Sequence, residues 1–99
     1  MSGNPLSIIK ELDEDLFENV NKSAGISLED GALSKKHKLL IAMALDAAHG
    51  ASDGVRSLAI QALANGATKE EIMETLRVAN FISGVGSVYT AANALKDIF

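Results

Sequence analysis

Apolar positions recur three and four residues apart along nearly the whole chain, and no stretch sustains the two-residue alternation of a strand. The pattern predicts an all-α protein of five or six helices. Ile9, Leu12, Leu16 and Val20 fall on one helical stripe with Ile8 and Phe17 beside it, while Glu11, Asp13, Glu14, Asp15 and Glu18 fill the other face. Asn4 suits a helix cap and Pro5 a first helical position, where its missing N–H would be unpaired anyway. A first helix is expected over residues 5–22, stopping near Gly25. Residues 23–33 read as a linker, in which Ser27, Leu28, Glu29 and Asp30 cap a short turn that Gly31 breaks. Ser34 then caps a second helix running to Gly50, with Leu40, Met43, Ala44 and Ala47 aligned. Ser52 is the expected cap of a third, lined by Val55, Leu58, Ala59 and Ala62 and ended by a left-handed Gly66. Thr68 and Glu71 form the Thr-x-x-Glu spacing of a capping box, so a fourth helix starts at Lys69. Ser83-Gly84-Val85-Gly86 interrupts the pattern, and a fifth helix follows over residues 87–96.

Ninety-nine residues suit one domain, 1–99. Aromatic residues are only 4% of the chain, so the core must be built from Leu, Ile, Val, Met and Ala. A small domain with so light a core gains stability by burying further surface in an oligomer. The net charge of −4 argues against a nucleic-acid partner, which needs a clustered basic face. Lys35, Lys36, His37 and Lys38 are the basic cluster; a solvated helix start is the plain reading and an anion site the sharper one. With no cysteine, disulfides, thiolate catalysis and cysteine-bound zinc are excluded. His37 and His49 lack the spacing of a helix-borne metal pair, and neither metal nor cofactor is expected. Gly84-x-Gly86 follows a helix and lacks a third glycine, so it does not read as a phosphate loop. No apolar run approaches the roughly 20 residues of a membrane span, and residues 1–5 lack the features of a signal peptide; a cytoplasmic protein is the expectation.

The polar chemistry gathers around the break between the second and third helices. Asp46 and His49 lie three apart on an otherwise apolar helix and so share a face. Asp53 and Arg56 follow just beyond. A histidine oriented by a carboxylate can act as a general base near neutral pH, and a guanidinium can hold both oxygens of a carboxylate. The plainer account is that Asp46 and His49 serve the helix C-terminus and a neighbouring cation, since protonated His is favoured where backbone carbonyls are unpaired. Both accounts stand at this point.

Three segments over residues 30–95, DGALSKKHKLLIAMAL, GATKEEIMETL and ISGVGSVYTAANAL, taken in order and at their separations, resemble the alkylhydroperoxidase-like, carboxymuconolactone decarboxylase-like family. The resemblance implies an orthogonal helical bundle and a homo-oligomer, commonly a trimer or hexamer, with sites near subunit contacts. Redox members of that family use a Glu, a Cys-x-x-Cys pair and a His. Counted back from Gly66, these positions carry Leu39, Ala51, Gly54 and Leu58; shifted by one residue, they carry Lys38, Gly50, Asp53 and Ser57. Neither register holds a thiol, and a dithiol cycle needs a thiolate and a resolving sulfur. Two readings of function follow. One is a thiol-independent acid–base enzyme of the decarboxylase type acting on a small carboxylate or lactone, with His49 as base or acid, Asp46 as its orienter, and Arg56 with Asp53 binding substrate. The other is a non-catalytic scaffold or binding protein that kept the fold.

Overall fold

A computed structural model describes residues 5–99. Six helices follow one another: α1 (Ser7–Leu12), α2 (Glu14–Leu28), α3 (Lys35–Ala48), α4 (Ser52–Ala64), α5 (Lys69–Ser83) and α6 (Gly86–Leu95). The described residues contain no strand. The all-helical reading therefore holds, and the helix ends show which local signals carried it.

Side-chain caps start α3 and α5. Ser34 Oγ accepts the His37 N–H at 3.2 Å, and Asp30 Oδ1 takes the Lys35 N–H at 2.7 Å. At α5 the box is reciprocal: Thr68 Oγ1 accepts the Glu71 N–H at 3.0 Å, and Glu71 Oε1 accepts the Thr68 N–H at 2.9 Å. These bonds satisfy first-turn donors that have no partner within the helix. The ends of α3 and α4 share one device. Gly50 and Gly66 are left-handed (φ +76° and +94°). Beyond them the Ala51 N–H reaches Asp46 O, and the Ala67 N–H reaches Ala62 O, both at 2.9 Å. The sequences His-Gly-Ala and Asn-Gly-Ala thus close two six-to-one turns, and the second buries Ala67 against the core.

The core lies within α3–α6. Leu39, Leu40, Met43 and Ala47 of α3 meet Val55, Ala59 and Ala62 of α4, Ile72 and Leu76 of α5, and Ala91, Ala94 and Leu95 of α6. Helix α3 packs on all three others. Alanines on facing stripes let the backbones approach closely, which suits a core without large aromatics.

The N-terminal region departs from expectation in two ways. The first helix does not run over residues 5–22: it breaks at Asp13 (φ −154°), whose Oδ1 accepts the Leu16 N–H at 3.0 Å and so starts α2. Helix α2 then continues through Gly25 to Leu28, across what reads as linker. A lone helical glycine costs about 1 kcal/mol relative to alanine, and with no proline after it that cost does not end a helix. Leu6 precedes α1, so Pro5 stands outside it; Asn4 lies outside the described residues. Ser52 is likewise no cap. Ala51 occupies that position, and Ser52 Oγ, already helical, is 3.4 Å from Thr90 O on α6.

Candidate functional site

In one register of the resemblance, the positions expected to carry a Glu and a His belong to the core or pack on it. Leu39 is fully buried, and Leu58 packs half-buried against the same cluster. In the alternative register Ser57 is exposed, and the Lys38 ammonium donates to Glu29 O at 2.7 Å, at the end of α2. Only the register with Leu39 and Leu58 places its helical positions together, and there they form apolar packing rather than a proton relay.

Gly54, which that register sets at the second cysteine position, has its side-chain space filled from another helix. A Cβ built on Gly54 would collide with Asp46 Oδ2 and lie 2.8 Å from Asp46 Cγ. The Asp46 carboxylate thus fills the space a side chain at position 54 would need, beside the first turn of α4. That turn carries free N–H groups and the positive end of the helix dipole, a favourable place for an anion. This part of the site was not legible from spacing along one helix, because its partner lies across a turn.

The four candidates singled out from the sequence do not form one constellation. His49 is the exposed C-cap of α3, and no hydrogen bond joins it to Asp46 among the described residues. Asp53 is exposed in the first turn of α4. Arg56 points to the end of α6, where its Nη1 is 3.4 Å from Ala94 O and 3.7 Å from Asp97 Oδ2. Its guanidinium thus serves unpaired carbonyls at a helix C-terminus. The ion pair is half-exposed and contributes at most about 1 kcal/mol.

Concave apolar surface occurs elsewhere. A cleft of about 420 Å³ between α3 and α5 is lined by Leu33, Leu40, Ile41, Ala44, Leu45 and Val78, with His37 and Thr75 as its polar members. Thr75 Oγ1 donates its proton to Glu71 O at 2.8 Å and keeps only acceptor capacity, which leaves His37 as the lining side chain able to donate. The imidazole is oriented from behind, since its Nδ1 is 2.7 Å from Ser34 Oγ. Beside it, Lys36 Nζ donates to Glu71 Oε2 at 2.9 Å. The hydrogen bond from Lys36 and the backbone bond from Thr68 hold the Glu71 carboxyl below the usual carboxylate range. The basic cluster is therefore dispersed, with Lys36 on Glu71 and Lys38 on Glu29. A second cleft, about 440 Å³, runs between α5 and α6 over Met73, Leu76, Val88, Ala92, Leu95 and Phe99, and is flanked by Lys69 and Lys96. Neither cleft is lined by Asp46, His49, Asp53 or Arg56. Among the described residues, no three His, Cys, Asp or Glu side chains group as a metal site, and no helix is long and apolar enough to cross a membrane.

Fold and site positions together define a helical bundle of alkylhydroperoxidase-like type without its thiols. The carboxymuconolactone decarboxylase family model matches residues 14–97, and the chain belongs to that family. It is similar to the crystal structure of the apo form of a carboxymuconolactone decarboxylase family protein from Legionella pneumophila, with 34% identity and a TM-score of 0.86. That match covers 92% of this chain and 81% of the other. A comparison with curated proteins finds no match.

Proposed function

We propose that this chain is a thiol-free family member that works by binding a small, largely apolar molecule in the α3–α5 cleft. One observation carries the reading: this concave site combines an apolar wall with a single oriented, uncommitted polar group, His37. A volume of about 420 Å³ falls within the usual range for small-molecule pockets, which are mostly apolar with a few placed polar groups. The Ser34 contact at Nδ1 leaves Nε2 of His37 for a ligand carbonyl or carboxylate, so medium-chain carboxylates and their lactones fit the lining. The acid–base reading centred on His49 has less support, because Asp46 lies against Gly54 and Arg56 is engaged by α6. Sequence spacing ranks His49 above His37; the cleft is the observation that favours His37 in this reading.

The test is displacement of an anionic naphthalene dye by a panel of medium-chain carboxylates and lactones, with calorimetry on any hit. Ala44→Phe, which fills the cleft, should abolish binding. His37→Ala should weaken it by about tenfold, the scale of one hydrogen bond to a charged group. His49→Ala should leave it unchanged. Binding that survives Ala44→Phe, or that depends on His49, refutes the assignment.

A further inference from the structure

The α1–α2 arm buries none of its residues. Ile8, Leu12, Leu16, Val20 and Ile26 are all exposed, Leu12 to 76%. The arm's contacts with the four-helix core run through α3. Isolated helices of this length are marginal in water, and helices in proteins draw most of their stability from a packed apolar face. The chain as a whole exposes 6568 Å², whereas compact monomers of its mass expose roughly 5,400 Å². The excess, on the order of 1,000 Å², is comparable with the roughly 800 Å² each partner buries in a stable protein interface. The radius of gyration, 14.2 Å, likewise exceeds the roughly 12.6 Å of a compact chain of this length.

The surfaces able to receive the arm differ in charge. Glu11, Glu14, Asp15 and Glu18 of the arm take part in no ion pair among the described residues. At the α5–α6 cleft the charged lining groups are Lys69 and Lys96, and Arg77 flanks its continuation over Met73, Leu76 and Val88. None of these three cations is in an ion pair among the described residues. Glu70 and Glu74 lie beside Lys69 and Arg77 on the outer side of α5, whereas the α3–α5 cleft and its border present no Lys or Arg, only His37, Glu74 and a Glu71 already paired with Lys36.

We infer that the α5–α6 cleft receives the α1–α2 arm of a second copy of this chain, its apolar stripe on Met73, Leu76 and Val88 and its carboxylates beside Lys69 and Lys96. Such a contact joins two different surfaces. It closes a ring of subunits, or is made twice across a two-fold axis. The inference is independent of the ligand assigned to the α3–α5 cleft.

A chain without cysteine allows a clean test. Leu16→Cys/Val88→Cys, oxidised mildly in the full chain, should form disulfide-linked multimers. Leu16→Cys/Ile41→Cys, which pairs the arm with the other cleft, should not. Light scattering at tens of micromolar should show the unmodified chain as an oligomer. Lys69→Glu/Lys96→Glu should weaken association about tenfold or more, and adding Glu11→Lys/Glu18→Lys should restore it. Circular dichroism checks that each variant is folded; Lys69→Glu places an acid in the first turn of α5, where it suits the helix. A monomeric parent, preferential linkage to position 41, or a disulfide closed within one chain each overturns the assignment.

Discussion

Gly54→Ala tests whether the Asp46 carboxylate packs on Gly54. Gly54 is the third residue of α4 and has ordinary helical φ, so alanine there should gain about 0.5–1 kcal/mol from helix propensity alone. Its Cβ, however, would strike Asp46 Oδ2 and sit 2.8 Å from Asp46 Cγ, well inside the roughly 3.5–4.0 Å of an ordinary carbon contact. The carboxylate must swing away, and holding so short a side chain off its rotamer costs about 0.5–1.5 kcal/mol. The two effects nearly cancel, so Gly54→Ala alone should change stability little. In an Asp46→Ala background nothing opposes the new methyl group, and the same substitution should stabilise by about 0.5–1 kcal/mol. The double-mutant cycle therefore predicts a coupling of about 0.5–1.5 kcal/mol. Whatever Asp46 contributes through the α4 dipole drops out of that difference. Urea unfolding of the four proteins at one fixed concentration measures it. Equal effects of Gly54→Ala in both backgrounds, within about 0.3 kcal/mol, would falsify the packing of Asp46 on Gly54.

Thr68→Ala removes one half of the α5 capping box and should cost about 0.5–2 kcal/mol; an unchanged denaturation midpoint at equal concentration speaks against the cap. The Glu71 carboxyl is held low by Lys36 and Thr68, so its contribution is complete above its unfolded value and lost as pH falls through its folded value. Acid titrations of stability should accordingly be shallower for Glu71→Gln than for the parent, and superimposable curves would remove this role. Hydroperoxide turnover with a dithiol reductant should stay at the buffer rate, because no thiolate is present and methionine cannot sustain a disulfide cycle. Turnover above that rate in metal-free protein would show a different chemistry.

Helices α3–α6 were legible because each carries its own punctuation. Ser34 and the Thr68–Glu71 box start two helices, Gly50 and Gly66 stop two, and the apolar stripes between them keep one period. Each signal acts within about four residues, so spacing alone exposes it. The arm was misread for the same reason turned around. Asp13 has the chemistry of a cap but sits inside an unbroken apolar stripe, and Gly25 looks like a stop although nothing after it prevents helix. Local preference there is weak, on the order of 1 kcal/mol per residue, and no described residue of the arm is buried.

The candidate site was illegible for a deeper reason. Residues three apart on α3 suggested that Asp46 orients His49, yet the nearest demand on that carboxylate comes from α4, where a glycine leaves room for it. Arg56 is drawn in the same way to the carbonyls that end α6. Arg56 thus answers a helix terminus brought close by the fold, and a terminus presents several unpaired backbone groups at once, whereas a lone imidazole presents one. His37 escapes that competition. Lys36 and Lys38 on either side of it are taken by Glu71 and Glu29, and Ser34 fixes one edge of its ring. The ring also lines the apolar α3–α5 cleft. Leu39 and Leu58 belong to the apolar packing of the core, Asp46 fills the space beside Gly54, and under the proposed function it is His37, at the start of α3, that meets the ligand.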